Sequence, residues 1–151
     1  MSADLKEQYD KISRYCFFKI HNEYIAEDLT QETFLRYFSQ NTYLEHGKQM
    51  AYLYTIARNL CINYYKKEKW EELLEDVSVD NIGNLEMNIV VRQAVNRLPE
   101  ELQELILLRF VNELSIKEIA FIMNLSRFSV RRRMNNALEK LNELLGEEDF
   151  T

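Results

Sequence analysis

Apolar residues recur every three or four positions along most of this chain, which is the spacing of one face of an α-helix. In the first half, this pattern predicts long helices over about residues 4–21, 25–40 and 48–74, with a polar loop over about 41–47. The predicted inward face of the first helix consists of Leu5, Tyr9, Ile12, Tyr15, Cys16 and Ile20. The first half is therefore expected to form a bundle of three or four helices.

The second half begins with a predicted helix near residues 87–97. Pro99 follows, and proline suits the first position of a helix because its φ is already helical and its missing N–H would be unpaired there. A further helix is therefore expected to start at Pro99 and to end near Val111.

Residues 114–138 have the pattern of a helix-turn-helix. Ser115 and Glu118 form an S-x-x-E capping box, which starts a helix. Asn124 stands at the turn, where asparagine tolerates a left-handed backbone, and Ser126 is a second N-cap. The apolar positions that follow are Val130, Met134, Ala137, Leu138 and Leu141. The opposite face carries Arg127, Phe128, Arg131, Arg132 and Asn135. The alternative is an ordinary αα-hairpin with a solvated basic face.

The composition supports an all-helical protein, because 151 residues include only three glycines and one proline. Between the two halves the helical periodicity is weak, and a glycine lies at position 83, which indicates a linker. We predict two small helical domains, 1–75 and 87–146, with an acidic linker over 76–86. Residues 147–151 are predicted to be an acidic tail.

The net charge of −6 is unevenly distributed along the sequence. Residues 71–91 contain six acidic residues and no basic one, whereas residues 92–140 carry a net charge of +3. The acidity therefore lies in the linker region and the tail, and the helix-turn-helix is basic enough to approach DNA.

Several classes of protein are not supported by the sequence. No apolar run approaches the roughly 20 residues of a membrane span, and the first residues lack the apolar core of a secretion signal, so a cytoplasmic location is expected. Cys16 and Cys61, with His21 and His46, lack the number and spacing of zinc ligands. The cysteines are expected to be free thiols in a reducing cytosol. Carboxylate–histidine clusters of a helical metal-dependent hydrolase are absent. No cofactor, metal, small-molecule substrate or catalytic activity is expected.

Three segments resemble bacterial sigma factors. AEDLTQETFLRYF (26–38) and AYLYTIARNLCINYYKK (51–67) resemble region 2, and residues 97–141 resemble region 4. No further helical domain fits between them and no acidic extension precedes them, so the chain is similar to the small extracytoplasmic-function sigma factors. The resemblance implies a non-catalytic subunit that binds core RNA polymerase and recognises the −35 and −10 promoter elements. It would also help to melt the −10 region.

The resemblance implies that the second helix docks on the clamp helices of the largest polymerase subunit. Asp28, Gln31 and Glu32 lie with Leu35 at i, i+3, i+4 and i+7, which forms one edge of a helix with acids that can meet basic partner residues. A solvated acidic face is the alternative. The implied docking residues are Asp28, Leu29, Gln31, Glu32, Phe34 and Leu35. A second polymerase subunit is expected to contact region 4.

The third helix and the loop before it match the part of the family that reads the melted −10 element. Holding unpaired bases requires stacking and edge hydrogen bonds, while cations hold the backbone. Asn59 falls at the family position that borders a flipped-base pocket, with the 41–47 loop as its lid. The implied residues are Tyr43, Arg58, Asn59, Asn63, Lys66 and Lys67.

The start of the helix after Ser126 is expected to read the −35 element, as the recognition helix of a helix-turn-helix does. The expected base contacts are Arg127, Phe128, Arg131 and Arg132, the expected phosphate contacts are Arg133 and Lys117, and Asn135 lies on the same face. Arginine suits guanine, and Phe128 suits a thymine methyl. Relatives commonly have small residues at positions 127–129, so their −35 sequences do not transfer to this chain.

Two further expectations follow from the resemblance. The acidic linker would thread the active-site cleft and the RNA exit channel of polymerase, mimicking nucleic acid; a merely solubilising linker is the alternative. An anti-sigma factor is an expected partner. The competing function is a standalone helix-turn-helix regulator that binds duplex DNA as a dimer, although such a regulator has no need of the segments at 26–38 and 51–67.

Overall fold

The structure, a computed structural model, describes residues 3–39, 49–68 and 89–148. Within these ranges all regular structure is helical and no strand occurs, which confirms the predicted all-α class. The chain divides into two compact units, Met1–Asn81 and Ile82–Thr151. The predicted loop over 41–47 and linker over 76–86 lie outside the described residues, so the predicted domain boundaries stay a prediction.

The first unit contains α1 (Ala3–Ile20), α2 (Glu23–Ser39) and α3 (Gln49–Glu68), and each helix packs against the other two. Aromatic rings join α1 to α3, since the rings of Tyr15 and Tyr54 meet edge to face with their centroids 5.5 Å apart. The other buried apolar residues of this core are Ile12, Cys16, Phe18, Ile20, Ala26, Phe34, Tyr37, Ala51, Leu53, Ala57 and Cys61. Three mutually packed helices thus hold the outer faces of α2 and α3 in fixed positions.

The turn between α1 and α2 explains why α2 begins two residues before its predicted start. His21 adopts a left-handed conformation with φ 61°, which ends α1. Asn22 then caps α2, because its Oδ1 accepts hydrogen bonds from the N–H groups of Tyr24 at 3.0 Å and Ile25 at 3.1 Å. The sequence pattern missed this asparagine cap, which lies upstream of the apolar face.

The two buried threonine hydroxyl groups of α2 are satisfied within their own helix. The hydroxyl groups of Thr30 and Thr33 donate to the carbonyl groups of Ala26 and Leu29, each at 2.7 Å. Cys16 and Cys61 are buried free thiols. A hydrogen bond from Cys61 lowers the pKa of the Cys16 thiol, with Thr30 acting in the same direction against the effect of burial.

The second unit contains α4 (Ile89–Asn96), α5 (Glu100–Ile106), α6 (Ile116–Met123) and α7 (Arg127–Glu148), and α7 packs against the other three. A π-helical turn, Leu107–Val111, follows α5. α7 ends at Glu148, two residues beyond residue 146, where the C-terminal domain is predicted to end. Gln103 ties α4 to α5, because its buried side-chain amide donates to the carbonyl groups of Asn96 at 3.0 Å and Leu98 at 2.8 Å.

Pro99 precedes its helix instead of occupying the first helical position, and the prediction is wrong by one residue. Its ψ of 147° is extended, so it is the N-cap of α5. Its carbonyl group accepts hydrogen bonds from Leu102 and Gln103, each at 3.0 Å. The predicted end near Val111 is confirmed, and the last turn is wide because the Asn112 N–H reaches back five residues to the Leu107 carbonyl at 2.9 Å.

Neither a membrane crossing nor a metal cluster is found in the described part of the chain. None of its helices has both the length and the apolar character that a membrane span needs. In the same residues, no group of three His, Cys, Asp or Glu side chains is placed to hold a metal ion.

Candidate nucleic-acid and protein interfaces

The turn between α6 and α7 has the geometry predicted for a helix-turn-helix. The capping box is complete: the Glu118 N–H donates to Ser115 Oγ at 3.1 Å, and the Ser115 N–H donates to Glu118 Oε1 at 3.0 Å. Asn124 is left-handed, with φ 55° and ψ 48°. The Leu125 N–H then donates to the Ala120 carbonyl at 2.9 Å, which gives a Schellman-type end to α6.

The start of α7 is held by the predicted second cap. Ser126 Oγ accepts from the Ser129 N–H at 3.0 Å, and the Ser126 carbonyl accepts from the Val130 N–H at 3.0 Å. The buried stripe of α7 consists of Val130, Met134, Ala137 and Leu141. Leu138, predicted to be part of this stripe, is 42% exposed because it lies at its edge. The first two turns of α7 are therefore rigidly presented.

The opposite face of these turns is exposed as predicted. It carries Arg127, Phe128, Arg131, Arg132 and Asn135, all of them open to solvent. Phe128 is 75% exposed, which is unusual for a phenylalanine in a packed domain. Lys117, on the first turn of α6, is exposed as well. Three arginines and one apolar ring therefore share this exposed face of α7.

Arg133 differs from the other arginines of α7. Its side chain is 32% exposed, and its guanidinium group forms an ion pair with the carboxylate of Glu101 on α5. The ion pair bridges two helices of the same unit. The phosphate contact predicted for Arg133 is untested, and the ion pair gives this residue a competing partner that the sequence did not reveal.

The predicted −10 residues that the structure describes lie on α3. Asn59 and Asn63 are exposed and one helical turn apart, and Lys66 and Lys67 are exposed one turn further on. Arg58 is half-buried beside them. Amide groups and cations thus share a face of α3, while Tyr43 lies outside the described residues.

The predicted docking face on α2 is partly exposed. Asp28 and Gln31 are exposed and Leu35 is 64% exposed, whereas Leu29 is half-buried. Glu32 forms an i, i+4 ion pair with Arg36, in which Nε of Arg36 lies 2.8 Å from Oε1 of Glu32. The docking face of α2 therefore keeps an acid, an amide and an apolar side chain open.

Phe34, predicted to be a docking residue, is a core residue. It is 7% exposed, and its ring centroid lies 5.4 Å from that of Tyr9 on α1. Phe34 lies on the buried face of α2, together with Thr30 and Tyr37. Phe34 can therefore support the exposed face but offers little surface of its own.

An apolar groove lies beside the docking face and was not predicted from the sequence. It has a volume of about 330 Å³ and is lined by Leu5, Tyr9, Gln31, Phe34, Leu35 and Phe38. Phe38, at its end, is 56% exposed. The signal in the sequence was the spacing of Gln31, Leu35 and Phe38, which puts two large apolar side chains on an otherwise polar edge.

Tyr9 and Gln31 provide the polar side-chain groups in the lining of the groove. The Tyr9 hydroxyl donates to the carboxylate of Glu27, which also accepts a hydrogen bond from Gln31 Nε2 at 3.1 Å. Burial, together with the hydrogen bond and the negative charge of Glu27, raises the pKa of Tyr9 to about 12. The phenol is therefore neutral and acts as a donor at physiological pH.

Comparison with known proteins shows a match in both units. Residues 5–71 match the family model of Sigma-70 region 2, and residues 89–141 match that of Sigma-70, region 4. The ECF RNA polymerase sigma factor SigM of Bacillus subtilis is 30% identical over 88% of this chain and 87% of that protein. The ECF RNA polymerase sigma factor SigW of the same species is 29% identical over 95% and 88%, respectively.

The fold is also that of a solved structure. The sigma factor RpoE of Bartonella quintana, crystallised with the anti-sigma factor NepR, superimposes with a TM-score of 0.73 at 22% identity. The alignment covers 95% of this chain and 94% of that one.

Proposed function

This chain belongs to the ECF RNA polymerase sigma factors, and on that premise we propose that it binds core RNA polymerase and directs promoter-specific initiation of transcription. The observation that carries the proposal is the presence of both sigma regions in one chain, each with an exposed face of the chemistry its task requires. It is a regulatory subunit, and polymerase supplies the catalysis. Because polymerase acts on cytoplasmic DNA, the proposed site of action is the cytoplasm.

The proposed −35 contact is made by the first two turns of α7. A recognition helix places its N-terminal residues against base edges in the major groove. Arg127, Arg131 and Arg132 extend from this end of the helix and are free of the packing that holds Val130 and Met134. Each arginine that grips a guanine through O6 and N7 would contribute about 1–3 kcal/mol of discrimination.

The proposed −10 contact is made by the exposed face of α3. Asn59 and Asn63 offer donors and acceptors to the edges of unpaired bases, and Lys66 and Lys67 offer charge to the backbone. The pairing edges of the bases can accept hydrogen bonds from protein only when the bases are unpaired, so this contact requires melted DNA. This face would therefore trap the open form of the −10 element and so favour melting.

The proposed polymerase contact is the exposed edge of α2. Asp28 supplies charge, Gln31 supplies hydrogen bonds and Leu35 supplies apolar area, which is the mixture that a protein interface uses. We place the clamp helices of the largest polymerase subunit on this edge and a second polymerase subunit on region 4. An anti-sigma factor is a further proposed partner, because RpoE of Bartonella quintana was solved with one.

One experiment distinguishes the proposed function from the competing one, a dimeric regulator that acts without polymerase. The full chain is mixed with a promoter duplex in the presence and absence of core polymerase, and complexes are sized by analytical ultracentrifugation. We expect a monomer that binds core polymerase and binds the duplex tightly only as part of that complex. A dimer that binds the duplex tightly alone would support the regulator instead.

A further inference from the structure

Among the described residues of the second unit, the most exposed large apolar side chain lies on the basic face of α7. Phe128 is the second residue of α7 and is 75% exposed. Ser126 Oγ accepts a hydrogen bond from the Ser129 N–H at 3.0 Å, and this cap holds the backbone before and after Phe128. The ring is therefore presented by the capped first turn of α7 and is left uncovered by the described residues of its own unit.

The surroundings of Phe128 indicate what covers it. Arg127 precedes it, and Arg131 and Arg132 lie one turn further along the same exposed side. Three exposed cations on the same helix face as a phenyl ring disfavour an ordinary apolar protein partner but suit an anionic one that carries an apolar group. In the major groove of DNA the only apolar group on a base edge is the C5 methyl of thymine.

We propose that Phe128 is a specificity-determining residue that packs against the C5 methyl group of a thymine in the −35 element. The inference rests on the proposed function, since it places α7 in the major groove of the promoter. Arg131 and Arg132 stand three and four residues from Phe128, about 4.5–6 Å along the helix axis at 1.5 Å per residue. That distance is one to two base-pair steps, so the thymine is expected within about two base pairs of a guanine.

The expected effect is that of one methyl group removed from an apolar contact. Replacing the contacted thymine by uracil removes only that methyl, and affinity should fall by about four-fold. The same replacement at thymines outside the contact should change affinity by less than about 1.5-fold. Removing the ring from the protein should abolish the difference between thymine and uracil at that one position.

The experiment uses the full chain assembled with core polymerase. A promoter library randomised across the −35 element is selected with this holoenzyme, and each thymine of the selected duplex is then replaced singly by uracil. Dissociation constants are measured at fixed salt for the natural chain, Phe128→Ala and Phe128→Leu. Leu138→Ala is the matched control, because it removes a partly exposed apolar side chain from the same helix.

The inference is supported if uracil weakens binding at a single position for the natural chain and for Leu138→Ala but not for Phe128→Ala. Phe128→Leu should keep part of the preference. If the holoenzyme selects a −35 element without a thymine, or if no uracil substitution matters, the inference is overturned while the proposed function stands. If no promoter complex forms with any variant, the proposed function fails and the inference fails with it.

Discussion

Arg131 and Arg133 are two residues apart on α7, but their surroundings predict opposite effects of their removal. Arg131 is exposed on the face proposed to meet DNA, whereas Arg133 is paired with Glu101 across the α5–α7 packing. Arg131→Ala should therefore weaken promoter binding without affecting the fold. Arg133→Ala should weaken the fold and leave promoter binding nearly unchanged.

The magnitudes follow from the two environments. If Arg131 binds a guanine, its loss costs about 1–3 kcal/mol, or roughly 5- to 150-fold in affinity. If it contacts only a phosphate, the slope of log K against log salt falls by about 0.9. The ion pair of Arg133 is partly exposed, with side chains 32% and 49% accessible, so it contributes about 0.2–1 kcal/mol to folding. For a domain this small, 1 kcal/mol corresponds to a Tm change of about 4–8 °C.

The assay combines thermal unfolding by circular dichroism with holoenzyme binding to one promoter duplex at several salt concentrations. Glu101→Gln is the matched control, because it removes the charge that partners Arg133 without touching α7. It should lower the Tm as Arg133→Ala does and leave the salt slope alone. A normal Tm for Arg133→Ala together with a salt slope reduced by about one would refute this assignment and make Arg133 a phosphate contact.

Three further outcomes are expected. Asp28→Lys should weaken core polymerase binding by about ten-fold or more, because it puts a like charge against a basic partner. The control Glu7→Lys, on an exposed part of α1, should leave this binding unchanged. Equal losses for the two variants in a binding titration would contradict the docking face. Asn124 has a φ of 55°, and alanine is strained in this left-handed conformation, so Asn124→Ala should lower the free energy of unfolding in urea by about 1–2 kcal/mol. Asn124→Gly should not lower it, because glycine has no Cβ. Similar free energies of unfolding for both variants would argue against a left-handed turn. Tyr9, whose pKa is raised to about 12 from 10.0, should stabilise the fold fully below pH 10 and lose that contribution as the pH rises towards 12; an ordinary pKa in an NMR titration of the tyrosine rings would contradict the contact with Glu27.

The parts of the site that the sequence predicted are those set by neighbours in the chain. The capping box of Ser115 and Glu118, the left-handed Asn124 and the Ser126 cap all depend on hydrogen bonds between residues no more than five apart. Such local geometry is fixed by residue type and spacing. The helix-turn-helix was therefore predictable almost to the residue.

The parts that the sequence could not predict depend on packing between distant segments. Arg133 and Glu101 meet only because α5 and α7 pack together, and nothing in the pattern of α7 separates Arg133 from Arg132. The groove between α1 and α2 likewise requires the angle between two helices, which leaves Phe38 open beside Tyr9. The burial of Phe34 could not be predicted either, because a motif names residues without saying which of them face the core.

Whether this chain gives core RNA polymerase new promoter specificity can be measured directly. Core polymerase with and without the full chain is used to transcribe genomic DNA in vitro, and the RNA 5′ ends are mapped. We expect a defined set of new start sites that share elements near −10 and −35, and we expect transcription from them to weaken with Asp28→Lys or Arg131→Ala. If no new start sites appear although the chain is folded, or if the sites share neither element, the chain does not act as a sigma factor in the way proposed.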